Sequence, residues 1–160
     1  MKTRRSSSDP SAQGVGPRGC TSLKLRQLTR RVGAHYDRVV GEAGLKTTQY
    51  SLLSHIVKLA PIRPGELANA MEMDASTLTR NLQVLVAQGW AVVGAGDDAR
   101  SRIVTATEAG RAKRDEAQRA WKRAQLALNE RLGQQKVGQL HVLLDECLAL
   151  MGDANGNLDV

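Results

Sequence analysis

The chain has 160 residues, the length of one domain, and its 41% hydrophobic content suffices for one core. A net charge of +7 draws polyanions, leaving nucleic acid, an anionic membrane surface and an acidic ligand open as partners. No apolar run approaches the roughly 18 to 20 residues that span a bilayer, and no apolar stretch follows the basic start MKTRRSSSDPSAQGVGPRG, so the expectation is a cytoplasmic protein without membrane association.

Residues 1–18 combine Ser, Gly and Pro with Lys2, Arg4, Arg5 and Arg18 against the single acid Asp9, which reads as a disordered basic arm. It is either a plain solvated tail or an arm that touches phosphates. From Cys20 onward helical spacing sets in through Leu25, Leu28, Val32, Tyr36, Val39 and Val40, and Gly44 closes that helix. A second helix fits residues 48–59, with Tyr50, Leu52, Leu53, Ile56, Val57 and Leu59 on a broad apolar face, and Pro61 and Pro64 end it. PGELANAMEM then reads as a short helix through Leu67, Ala68 and Met71. In the following DASTLTRNLQVLVAQGW, Asp74 caps a helix whose Leu78, Leu82 and Leu85 face inward and which Gly89 ends. Two short helices so closely spaced have the layout of a helix-turn-helix.

Val92 and Val93, then Ile103 and Val104, flank a Gly/Asp-rich tip, the pattern of a hairpin with a charged, protruding loop. Residues 108–131 form a long polar helix, and residues 134–151 a last one with Val137, Leu140, Leu144, Leu148 and Met151 on one stripe. The fold class is therefore mainly α with a small β-hairpin wing, a winged helix-turn-helix.

Turning the three leucines of the fourth helix inward turns Ser76, Thr77, Thr79, Arg80 and Gln83 largely outward. Such a face fits the major groove, where Arg bonds guanine, Gln adenine, and Ser and Thr reach phosphates or base edges. On its own it is equally a solvated helix surface. At the hairpin tip Gly94-Ala95-Gly96-Asp97-Asp98-Ala99-Arg100-Ser101-Arg102 presents guanidinium groups in a shape suited to the electronegative minor groove. Arg100 is the expected contact and Arg102 a second, while Asp98 either braces an arginine or is a simple turn residue.

Asp98-Ala99-Arg100-Ser101-Arg102 followed by Thr107-Glu108-Ala109-Gly110-Arg111 resembles the Asp-x-Arg wing and Leu-Thr-x-x-Gly-Arg helix entrance of the MarR (multiple antibiotic resistance regulator) family. Ser76-Thr77-Leu78-Thr79-Arg80 with Leu85, Gln88 and Gly89 is similar to that family's recognition helix, and Gly44-Leu45 with Gln49-Tyr50 to its junction into the second helix. Ala106 replaces the usual Leu, Ala99 separates the wing residues, and Arg63 stands where Ser or Thr commonly caps the third helix. The resemblance implies a MarR-like domain over 19–151, with dimerisation helices at 19–45 and 108–151, a winged helix-turn-helix at 46–107 and a flexible tail at 152–160. It implies a homodimer that presents two recognition helices to a pseudo-palindromic double-stranded DNA operator, half-sites about one turn apart. The implied role is transcription regulation, with repression as the default.

The resemblance also implies a small-molecule effector, an aromatic or phenolic carboxylic acid, held between the dimer helices and the DNA-binding lobe. Candidates are Arg30, His35, Tyr36 and Arg38 on the first helix, Tyr50 and His55 on the second and Trp121 on the fifth. An anion beside Arg or His against an aromatic wall makes a reasonable pocket, although each residue serves equally well as packing. Some relatives sense peroxide through a cysteine at the start of the first helix. Cys20 stands about half a turn from that position, and Lys24 replaces the assisting phenol, so redox sensing is an alternative reading. Cys147, on the apolar stripe, is expected to be a buried thiol.

Neither cysteine has metal-ligand spacing, and no phosphate loop, nucleophile elbow or His/Glu metal motif is present, so no metal, no cofactor and no enzymatic activity are expected. An architectural nucleic-acid-binding protein is the other alternative, although an RNA reader would more often display stacking aromatics. Arg100→Ala is expected to weaken DNA binding by about 1–3 kcal/mol, the scale of one good groove contact, with the fold intact. Unchanged binding in a fluorescence titration would remove Arg100 from the mechanism.

Overall fold

The computed structural model describes residues 18–96 and 101–152. In chain order it runs α1 (Thr21–Val40), a single 3-10 turn (Gly41–Ala43), α2 (Thr47–Leu59), α3 (Pro64–Ala70), α4 (Ala75–Ala87), β1 (Ala91–Ala95), β2 (Arg102–Ala106), α5 (Glu108–Leu132) and α6 (Gln134–Met151). This is the mainly helical winged helix-turn-helix that the periodicity predicts. Boundaries move slightly. The first helix gives way to the 3-10 turn at Gly41 before Gly44 turns the chain, and α2 begins at Thr47, one residue early. The basic arm and the tail, apart from Arg18 and Gly152, lie outside the described residues, as does the wing tip with Asp98 and Arg100.

The core sits where the short helices meet the hairpin. Leu52, Leu53 and Ile56 of α2, Leu67 and Ala68 of α3, Leu78, Leu82 and Leu85 of α4, Val104 of β2 and Ala117 of α5 are buried together. Among the described residues no polar or charged side chain is fully buried. The apolar stripe of α4 therefore locks the helix in rotation, and whatever lies opposite must face solvent.

The hairpin pairs Ala91 with Ala106 and Ala95 with Arg102 in antiparallel register. A third segment joins it: the N–H of Ile62 donates to the carbonyl of Val104 at 3.3 Å, and the N–H of Val104 to the carbonyl of Ile62 at 2.8 Å. The linker between α2 and α3 thus covers one edge of the wing, which keeps that edge from being an open template for pairing.

At the other end of β2, Thr107 caps α5 by accepting the Gly110 N–H at 2.9 Å, while its hydroxyl donates to the Gly89 carbonyl at 2.7 Å and its own N–H to the Trp90 carbonyl at 3.1 Å. Gly110 is buried against that same Trp90 carbonyl, and a Cβ on it would stand 1.9 Å from the oxygen. A glycine is required there for space alone.

α6 departs from expectation. Val137 is buried and Leu140 half-buried, but from His141 onward every described residue is exposed, including Leu148 at 63% and Leu150 at 88%. The stripe exists in the sequence but has no cover within one chain. Cys147 is accordingly exposed and not a buried thiol, because α6 packs chiefly on α5 through its first two turns. Among the described residues no helix is long and apolar enough to cross a membrane.

Gly110→Ala is expected to lower stability by at least about 1–3 kcal/mol, the usual cost of forcing a methyl into a filled site. Urea unfolding measures it, and a variant as stable as the parent would show that the close approach to Trp90 is not a constraint.

Candidate nucleic-acid interface

The exposed face of α4 begins with a cap. The Asp74 carboxylate accepts the Thr77 N–H at 2.8 Å and the Ser76 hydroxyl at 2.6 Å. Hydrogen bonds from Ser76 and then Thr77 hold its carboxyl far below the usual carboxylate range. The anion also meets the positive end of the α4 dipole. The first turn of α4 is thereby fixed, and the residues behind it have a defined direction.

Ser76, Thr79, Arg80 and Gln83 are exposed, turned away from the stripe of Leu78, Leu82 and Leu85, while Thr77 is half-buried at the flank of the helix. The Thr79 hydroxyl donates to the Ala75 carbonyl at 2.7 Å, and the Asn81 amide to the Thr77 carbonyl at 3.1 Å. α3 and α4 are joined by a tight turn in which Glu72 takes a left-handed φ of 48°. Arg102 is exposed on β2, on the limb leading to the tip. Just beyond the strand ends, the Gly96 N–H donates to the Ser101 carbonyl at 2.8 Å, and a Cβ on Gly96 would fall 2.2 Å from the Ser101 Oγ, so the serine side chain fills the space beside the glycine.

The seven predicted effector residues do not all converge. Tyr36 stacks on Trp121 with ring centroids 6.2 Å apart, Trp121 meets Tyr50 at 6.4 Å, and His35 stands edge-on to Tyr36 at 5.8 Å. These four bind α1, α2 and α5 into one aromatic pile. The Tyr36 hydroxyl donates to Gln125 Oε1, and burial pushes its pKa up. His35 Nε2–H donates to the Ala124 carbonyl at 2.8 Å, leaving Nδ1 buried without a partner. Arg30 and Arg38 are exposed on α1, and His55 Nδ1–H donates to the Ser51 carbonyl at 2.8 Å within α2.

A cavity of about 400 Å³ opens between α1, α5 and α6, walled by leucines such as Leu28, Leu128, Leu132 and Leu140. Tyr36 is the one predicted effector residue that lines it. Cys20 is exposed at the N-cap of α1. Among the described residues no cluster of three or more His, Cys, Asp or Glu could hold a metal ion.

Two contacts had no sequence signal. Lys113 reaches from α5 to the Ala43 carbonyl at 3.3 Å and to Glu116 at 2.7 Å, 5.8 Å from the Trp90 ring centroid. Asp37, near the end of α1, accepts the Thr47 N–H at 2.8 Å and so fixes the angle between α1 and α2. That bond holds the Asp37 carboxyl below its ordinary value.

Residues 43–101 match the sequence model of the MarR family. The crystal structure of the M. tuberculosis transcriptional regulator MOSR in complex with DNA is 30% identical, over 81% of this chain and 98% of that one, with a TM-score of 0.64. The uncharacterized HTH-type transcriptional regulator YwoH of Bacillus subtilis (strain 168) is 25% identical over 93 residues, which are 58% of this chain and 68% of that protein. A mutant MarR from E. coli, crystallised with operator DNA, shares the fold at a TM-score of 0.72 and 23% identity, over 79% of this chain and 92% of that one. The chain belongs to the MarR family of DNA-binding transcriptional regulators.

The depressed Asp74 carboxyl fixes the sign of a pH effect. Its contribution to stability is complete above the unfolded value near about 4 and is lost as the pH falls through the lower folded value. Urea unfolding of Asp74→Asn against the parent is expected to show a stability gap that is widest at neutral pH and closes in acid. A gap independent of pH would contradict the charged cap.

Proposed function

We propose that the protein is a homodimeric repressor that binds a pseudo-palindromic double-stranded DNA operator and acts by binding, not by catalysis, in the cytoplasm. α4 would enter the major groove and the wing, through Arg100 and Arg102, the adjacent minor groove, with Asp98 bracing the tip. The observation that carries this reading is the face of α4: a capped helix, fixed in rotation by buried leucines, turns Ser76, Thr79, Arg80 and Gln83 to solvent beside the hairpin. That MOSR was crystallised with DNA supports it.

The uncovered apolar side of α6, together with exposed Leu23 and Leu25 on α1, supports the dimer: such a surface on a lone chain is costly, and a second copy offers matching helices. Leu148→Glu is expected to give a monomer in sedimentation equilibrium and to lose tight operator binding, since each half-site then binds alone. A dimer in that variant would place the interface elsewhere.

For the effector, we propose a small aromatic or phenolic acid lodged beside the Tyr36–Trp121–Tyr50 pile, with His35, Arg30, Arg38 and His55 as candidate polar partners. The pile joins α1, α2 and α5, so a ligand that wedges into it would change the spacing of the two recognition helices. The test is fluorescence anisotropy on the upstream promoter region, with a panel of aromatic acids and, separately, peroxide. Release by an acid in both the parent and Cys20→Ser supports the reading. Release by peroxide alone, abolished in Cys20→Ser, replaces the acid with redox control.

A further inference from the structure

The hydrogen-bond pattern of α4 divides its outward side chains into two kinds. The single donor of the Ser76 hydroxyl is held by the Asp74 carboxylate at 2.6 Å, and that of Thr79 by the Ala75 carbonyl at 2.7 Å. Each hydroxyl keeps only acceptor capacity, so neither can donate to a phosphate or a purine acceptor without breaking a bond that shapes the helix. Thr77 is half-buried and engaged with the Asp74 cap. The side chains of Arg80 and Gln83, by contrast, are exposed and make no hydrogen bond or ion pair among the described residues. They stand three residues apart, on adjacent turns of the same face.

The two free groups are also the two that discriminate. A guanidinium donates two parallel bonds and matches guanine O6 and N7, whereas a carboxamide pairs a donor with an acceptor and matches adenine N7 and N6. A lone hydroxyl acceptor offers no such two-point match. Asp74 adds a constraint from the other side: its carboxylate already occupies the N-terminus of α4, so that helix end repels a phosphate instead of receiving one. The groups of α4 left free to donate are therefore the side chains of Arg80 and Gln83 and not the helix terminus.

Resting on the operator-binding function proposed above, we propose that base preference is concentrated on two base pairs per half-site, a G·C pair read by Arg80 and a nearby A·T pair read by Gln83, with Ser76 and Thr79 contributing none. The test is selection from a randomised duplex library by the full chain and by Arg80→Ala, Arg80→Lys, Gln83→Ala, Ser76→Ala and Thr79→Val, with thermal unfolding as the check that each variant folds. The parent is expected to select a symmetric motif with one invariant G·C and one invariant A·T pair in each half. Arg80→Ala should erase preference at the G·C pair only, a loss of roughly 5- to 150-fold in discrimination, and Gln83→Ala likewise at the A·T pair only. Arg80→Lys, which keeps the charge but lacks the fork, should retain most affinity and relax the same G·C pair. Ser76→Ala and Thr79→Val should change affinity at most, with every position of the parent motif still selected. Uniform weakening by Arg80→Ala and Gln83→Ala, or loss of one motif position in Ser76→Ala or Thr79→Val, overturns the assignment. A parent chain that selects no motif overturns the operator-binding function itself.

Discussion

The fold turns on the contact between Gly110 and the carbonyl of Trp90. Because no Cβ intervenes, the first turn of α5 lies directly on the strand that leaves α4, and Thr107 closes the joint by bonding Gly89, Trp90 and Gly110 at once. The end of α4, the start of β1, the end of β2 and the start of α5 thereby meet at one hydrogen-bonded corner. Lys113, one turn further along α5, ties that corner to the Ala43 carbonyl ahead of α2.

The same corner explains how one chain joins two unlike surfaces. At its near end α5 packs against β2 and α2; at its far end it carries α6, whose leucines are uncovered. Between them the aromatic pile of Tyr36, Trp121 and Tyr50 takes up the middle of α5 and seats it on α1 and α2. The surface ion pair of Arg123 with Glu42 at 2.8 Å adds little to this seat, since both groups are more than half exposed. Packing, and not surface charge, sets the geometry; the net charge of +7 acts on approach to a polyanion.

Much of this was legible in the sequence because local rules govern it. Leu78, Leu82 and Leu85 fix the rotation of α4, Asp74 caps it, and the order of the Thr107 and Gly110 motif after the hairpin marks the entry to α5. What could not be read depends on contacts between distant segments. The Ile62 pairing with Val104 leaves no periodic trace, since a single bridge is too short to show alternation. The bond from His35 to Ala124 spans 89 residues, and the same separation joins Tyr36 to Gln125. Cys147 failed for a different reason: spacing reveals that a stripe is apolar, but not whether its cover comes from the same chain. The donors of Ser76 and Thr79 look free in a helical projection, and only the folded geometry reveals that they are taken.

The most direct measurement is hydroxyl-radical and methylation footprinting of the full chain on a duplex it selects. A dimer that inserts two copies of α4 predicts two protected major-groove patches about 10 base pairs apart, or a whole multiple of that, on one face of the DNA, with minor-groove protection outside each. Protection that is continuous, lacks two-fold symmetry or leaves guanine N7 reactive throughout the site would contradict it.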